Sequence, residues 1–153
     1  MQPEEPSQRK LRSALANLLA NQKTLKVATA GGPTSPWVNG TYFVESDPFT
    51  LYFTLERRGK GMANVLANRN VAIAIDSDDP FSVFAQGEGT ARIVEGSEAQ
   101  AKLGSLIIKV PEIQPLLEGE LDVVAVDVRR WYVTSVPDGW FPAKTLEPEH
   151  PRA

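Results

Sequence analysis

The sequence predicts a mainly β protein, an antiparallel barrel with helices on its flanks. Three observations lead there. Six extended segments follow one another at short intervals, and only two sizeable helices and one small one interrupt them. The second and third segments are joined by a turn too short for the crossover that a parallel pair requires.

Each element has its own justification. Leu11, Leu15, Leu18 and Leu19 recur at i, i+4, i+7 and i+8, which predicts a helix from about Ser7 to Asn21. The Ser7 hydroxyl can cap it, and Glu4 and Glu5 suit the positive end of its dipole. Thr24 to Ala30 is a partly alternating, β-branched strand that stops at Gly31-Gly32-Pro33. Trp37 to Val44 resumes extended structure, and Ser46-Asp47-Pro48 turns it into Phe49 to Leu55, forming a β-hairpin.

Gly59 to Asn68 reads as a short helix with Met62, Val65 and Leu66 on one side, and Val71 to Ile75 as the fourth strand. The fifth strand runs from Phe81 to Val94. Phe81, Val83, Ala85, Ala91 and Ile93 share a face, interrupted by Gly87 and Gly89, which permit a bend or a close approach. Ser97 is placed to cap a helix through about Lys109, with Ala101, Leu103, Leu106, Ile107 and Val110 as its apolar residues and Pro111 as its stop. Leu121 to Val136 is the sixth strand. Pro137, Pro142, Pro148 and Pro151 then predict an irregular end, giving one domain with an ordered core over about 7–140 and a proline-rich tail over 141–153.

Composition narrows the function. A globule of 153 residues hides roughly 70% of its unfolded surface, enough for a core without staples. The absence of cysteine excludes disulfides and thiolate zinc sites; no metal site is expected, and a cytoplasmic address follows by default. A net charge of -3 provides no field for a phosphate backbone, so nucleic acid is not an expected partner. No apolar run approaches the ~20 residues of a membrane helix, and Met1 to Lys10 is unlike a signal peptide, so neither insertion nor export is expected.

Arg57-Arg58-Gly59-Lys60-Gly61 is the densest polar constellation, set where a strand ends and a helix begins. Unpaired helix amides, close backbone approach at the glycines and three cations suit an anion there; the competing reading is a solvated basic turn. The spacing matches neither a Walker loop nor a dinucleotide fingerprint. Of the large aromatics, Trp131 is read as core and Trp140, between Gly139 and Pro142, as a pocket wall; Trp37 is open to either use. Arg129 and Arg130 are read as surface or dimer rim. The lone His150, among prolines, is read as a surface residue, and no nucleophile triad or carboxylate pair stands out.

In order and spacing these elements resemble the pyridoxamine-phosphate oxidase-like FMN-binding split barrels over roughly residues 10 to 140. The resemblance rests on Leu25-Lys26-Val27-Ala28-Thr29, on Pro36 to Phe43, on Leu51-Tyr52-Phe53-Thr54 with the basic turn, on Asn64 to Ile75, and on Gln86 to Ala91 with Glu95. It implies a six-stranded antiparallel split barrel and a homodimer with FMN in a cleft between subunits. By position Thr54, Arg58 and Lys60 inherit the phosphate, Val38, Asn39, Gly40 and Thr41 the ring edge, and Gln86 a contact to the isoalloxazine from the partner chain.

Two departures matter. Counting forward from Thr54 puts Lys60 on the family's phosphate lysine, whereas counting back from Asn64 puts Gly61 there, and Arg69 stands where proline is common; the ligand among Arg57, Arg58 and Lys60 therefore stays open. The oxidases also present an arginine and a histidine near their end, which Trp140 to Thr145 does not, so vitamin oxidation is not expected. The resemblance implies an FMN-dependent oxidoreductase taking a small-molecule substrate and an electron donor. The alternatives are a deazaflavin-dependent reductase and a non-catalytic flavin- or haem-binding module, for which only His150 offers an axial ligand.

Overall fold

Four leucines on one stripe dock the first helix against the barrel. The structure is a computed structural model and describes residues 6–79 and 82–149; Glu4, Glu5, Pro80, Phe81, His150 and Pro151 lie outside the described residues. Helix α1 (Gln8–Asn21) buries Leu11, Leu15, Leu18 and Leu19, and the Ser7 hydroxyl accepts the Lys10 amide at 3.1 Å. That bond satisfies one of the amides the first turn leaves free.

The chain continues through β1 (Thr24–Thr29), β2 (Trp37–Asp47), β3 (Thr50–Glu56), α2 (Lys60–Ala67), β4 (Asn70–Ile75) and β5 (Phe84–Val94). It ends with α3 (Gly96–Lys109), a 3-10 helix (Pro111–Glu118), β6 (Leu121–Ser135) and β7 (Trp140–Leu146). Every strand pairing is antiparallel, in the order β3-β2-β1-β4-β5-β6-β7. Because β3 also pairs with β6, from Thr50↔Asp127 to Glu56↔Leu121, six strands close into a barrel and β7 lies outside it on β6.

Alternation decides what fills the barrel. Leu25 and Val27 of β1, Phe43 of β2, Ile73 of β4 and Val124 and Val126 of β6 all point inward and are at most 2% exposed. Each such side chain contributes about 1.5–3 kcal/mol by leaving water. Trp131 sits at the centre, fully buried, with its indole N–H donating to the Pro48 carbonyl at 2.7 Å. The two strand glycines make room for it and for a bend: a Cβ on Gly87 would come within 3.0 Å of the Trp131 ring, and one on Gly89, at the bulge in β5, within 2.7 Å of the Asp127 carbonyl oxygen.

Asn64 locks the loop that precedes β2. It is fully buried; its amide nitrogen donates to the Thr29 carbonyl and hydroxyl and to the Thr34 carbonyl, and its oxygen accepts the Gly32 amide at 2.7 Å. The loop is thus tied to α2, and Trp37 enters β2 beside the start of that helix.

Four local readings need correction. Residues 140–146 are not an irregular tail: Trp140 and Leu146 are buried and anchor β7, and proline is tolerated because β7 is an edge strand with few ladder bonds to lose. Ser97 does not cap α3; Glu95 stands at the cap and Gly96, at φ +64°, makes the reversal out of β5. Leu66 is 61% exposed, its expected place on the buried side of α2 being taken by Gly61 and Asn64. Pro111 does end α3, yet it also opens the 3-10 helix, which Ile113 pins to the core. Among the described residues no helix is long and apolar enough to cross a membrane.

Candidate functional site

The site forms where β3 gives way to α2. The Gly59 amide donates to the Glu56 carbonyl at 3.0 Å, turning the chain so that α2 starts at Lys60. Gly59, at the cap position, has no side chain to satisfy the first-turn amides, so no side-chain bond covers the positive end of the helix dipole. Gly61 is buried because Asn39 of β2 packs directly on it: a Cβ at Gly61 would collide with Asn39 Oδ1. That oxygen is itself buried without a hydrogen-bond partner, an arrangement that costs about 1–3 kcal/mol and marks places where folding has not had the last word.

Two adjoining cavities open there, each in the range of roughly 300–1,000 Å3 typical of small-molecule sites. The first, about 380 Å3, is walled by Trp37, Asn39, Leu55, Glu56, Arg58, Lys60, Gly61 and Met62. The second, about 540 Å3, shares Asn39, Leu55, Glu56 and Arg58 and extends past Gly40, Thr41 and Thr54 to Leu116 and Glu120 beside the 3-10 helix. Thr41 helps hold the two strands in register, its hydroxyl donating to the Thr54 carbonyl at 3.2 Å. A third space, an open groove of about 580 Å3, crosses the outer wall over β2, β1, β4 and β5, floored by Ala28, Ala72 and Ala74 and edged by Lys26, Val38, Gln86 and Tyr132.

Of the residues singled out from the sequence, Asn39, Gly40, Thr41, Thr54, Arg58 and Lys60 come together around the paired cavities, while Val38 and Gln86 share the outer groove. Two stand apart. Arg57 turns toward β6, its Nε 3.2 Å from Asp122 and a terminal nitrogen donating to the Leu121 carbonyl, because β6 begins opposite the end of β3. Trp140 is 3% exposed and packs in the core with Leu146, with Lys10 5.8 Å from its ring centroid, so it is an anchor of β7 and walls neither cavity.

The three cations of the turn are not equivalent. Arg57 is paired with Asp122, and Arg58 lies 3.8 Å from Glu120. Lys60 Nζ instead sits 4.4 Å from the centroid of the Trp37 ring, and among the described residues no carboxylate is within ion-pair distance of it. Sequence reasoning did not assign Glu56, Glu120 or Met62 to the site, and it left Trp37 open between pocket and packing. Trp37 carried a usable signal, standing directly after Pro36 at the head of a strand; Glu120 carried none, since only closure of β3 on β6 brings it near Arg58. Among the described residues no group of three or more histidine, cysteine, aspartate or glutamate side chains is arranged to hold a metal ion.

The closed six-stranded antiparallel barrel with flanking helices and a basic strand-to-helix corner defines a split-barrel protein. The sequence agrees: residues 11–135 match the family described as Pyridoxamine 5'-phosphate oxidase, and the chain belongs to that family. No curated protein matches the sequence.

Among solved structures, the chain is similar to a heme binding protein from Mycobacterium smegmatis, with a TM-score of 0.73 and 17% identity, over 94% of this chain and 59% of that one. It is similar also to General Stress Protein 26 from Bacillus anthracis, with a TM-score of 0.67 and 18% identity over 90% and 98% of the two chains. A third similar structure is HutZ, the heme storage protein from Vibrio cholerae, with a TM-score of 0.65 and 16% identity over 77% and 89%. These identities carry the fold and nothing finer.

Proposed function

We propose that the paired cavities bind FMN and that the protein is an FMN-dependent oxidoreductase acting on a small molecule as a homodimer. The observation that carries this reading is the amino end of α2, without a side-chain cap, beside a lysine that makes no ion pair among the described residues, opening on a cleft walled by Asn39 to Thr41. Such a corner suits a dianionic phosphate, through amides without a side-chain cap and an uncompensated ammonium. The residues present fit the nucleotide: Gly61 lets Asn39 of β2 pack against the start of α2, which brings that strand to the helix end, and the Asn39 oxygen is left there without a partner.

Lys60 and the α2 amides would hold the phosphate, Arg58 would assist on leaving Glu120, and the wall from Asn39 to Thr41 with Thr54 would lie along the rest of the ligand. A bound flavin would itself supply hydride transfer, so the chain needs no acid–base pair of its own. The alanine-floored groove that carries Val38 and Gln86 is the face across which a second copy would pack, with Lys26 and Glu88 giving it both signs of charge. Haem finds less support: the chain has no cysteine and a single histidine, His150, to offer as an axial ligand.

The test is differential binding. Replacing Arg58 and Lys60 together with alanine is expected to weaken FMN by more than about tenfold, the scale of losing charge-assisted hydrogen bonds. Riboflavin, which has no phosphate, should bind nearly as before. Equal losses for both ligands discard the phosphate assignment, and uptake of hemin or a deazaflavin in preference to FMN replaces the cofactor.

A further inference from the structure

We propose that Trp37 is a positioning residue for Lys60, presenting its ammonium as a full positive charge at the mouth of the smaller cavity. This rests on the phosphate reading above and gives a role to a side chain that reading leaves idle. Lys60 Nζ lies 4.4 Å from the Trp37 ring centroid, and both line the cavity with Glu56 and Asn39. Glu56 is the competing partner: its side chain folds back so that a Cβ on Gly59 would lie 3.7 Å from Glu56 Oε2. A lysine that dropped onto that carboxylate would be neutralised. An indole face attracts an ammonium without cancelling its charge, so the lysine kept there is still available to an incoming anion.

The neighbouring cations show the alternative, since Arg57 and Arg58 have each found a carboxylate. Trp37 is also held firmly enough for the task. The loop leading into it is bonded to the buried Asn64 through Gly32 and Thr34, and Trp37 itself pairs with Thr29 of β1. The other two tryptophans are buried in the core, at 0% for Trp131 and 3% for Trp140, which leaves Trp37 as the tryptophan of the cleft.

The contact is tested first in the ligand-free, full-length protein. By NMR the ε-methylene protons of Lys60 should be shifted upfield by the Trp37 ring current, and the shift should vanish in Trp37→Leu. Titrations then follow with FMN and riboflavin. Trp37→Leu should weaken FMN about two- to fivefold, the fold-change that matches an exposed cation–π contact, with riboflavin unchanged. Trp37→Phe, which keeps an aromatic face, should recover most of the loss, and Trp37→Leu should have no further effect once Lys60 is alanine.

An unshifted Lys60, an FMN affinity indifferent to Trp37→Leu, equal losses for FMN and riboflavin, or an effect that survives Lys60→Ala would each overturn the assignment. Should neither flavin bind the unmodified protein, the cofactor reading fails by itself, and inorganic phosphate becomes the probe. Lys60 signals that titrate with phosphate more tightly with Trp37 than with leucine support the positioning role; signals that do not move, or move alike in both, end it.

Discussion

The two ends of β2 each hold a lysine over an aromatic ring, and they use it in opposite ways. At the far end Lys109 Nζ lies 3.7 Å from the Phe43 ring centroid, 2.7 Å from Glu45 and 2.9 Å from the Leu19 carbonyl, which it meets as a donor. That ammonium ties α3 to β2 and to the end of α1, and its side chain is only 16% exposed. At the near end Lys60 has the ring of Trp37 and no carboxylate within ion-pair distance among the described residues. The contrast separates a cation whose bonding capacity is used by the fold from one whose capacity remains available.

The asparagines repeat the lesson. Asn64 is satisfied on both sides of its amide, while Asn39 keeps a buried oxygen with no partner. Complete satisfaction marks structure at Asn64, and two groups left incomplete, the Asn39 oxygen and the Lys60 ammonium, wall the same cleft.

The largest effect should come from breaking the closed end. Lys109→Ala leaves Glu45 half-buried and unpaired, and is expected to cost about 2–3 kcal/mol in a denaturant titration. Adding Glu45→Leu should recover most of that loss, since the uncompensated carboxylate is then gone. Burial pushes the Lys109 ammonium below the ordinary lysine value of 10.5, against the hydrogen bond and charge of Glu45. The unfolded chain then holds this proton more tightly than the folded one. This group's contribution to stability therefore rises with pH through the window below 10.5 and is level on either side. The difference in stability between wild type and Lys109→Gln, followed from pH 7 upward, should show that alkaline rise; a flat difference would refute the burial of this charge.

At the open end the same class of change should do little to the fold. Gly61→Ala is the exception, because the new methyl must push Asn39 aside; about 1 kcal/mol of destabilisation is expected, relieved when Asn39→Ala is added. Additive losses in that double variant would show that the two residues do not compete for space. Lys60→Ala should change stability by less than about 0.5 kcal/mol, as exposed positions without bonded partners do. A thermal melt that fell as far for Lys60→Ala as for Lys109→Ala would erase the distinction between the ends.

How much of this could be read from the sequence follows the range of each interaction. Local periodicity was enough for α1, whose four leucines and serine cap stand where expected, and for the hairpin of β2 and β3. It was enough also for the face of β5 that carries Ala85, Ala91 and the two glycines. It failed at β7, where prolines read as breakers but sit in an edge strand pinned by Trp140 and Leu146. Within the cleft, the resemblance placed Asn39, Gly40, Thr41, Thr54, Arg58 and Lys60 near one another, yet it could not divide the cations. Asp122 and Glu120 neutralise Arg57 and Arg58 only because β6 closes against β3 from a point more than sixty residues along the chain. Charge balance at a site is a tertiary property.

The smallest expected effect tests that balance directly. Arg58 and Glu120 face each other at 3.8 Å with side chains 89% and 68% exposed, so the pair contributes little to the fold. Glu120→Gln should leave the unfolding midpoint unchanged. What it removes is a competitor: with Arg58 released, FMN should bind about two- to threefold more tightly at low ionic strength, while riboflavin stays the same. The gain should fade as salt approaches 0.5 M, since the screening length then falls well below 10 Å. A gain that persisted in high salt, or that riboflavin shared, would mean that Glu120 shapes the cavity wall through contact rather than through charge. The open end of β2 would then owe its character to shape alone.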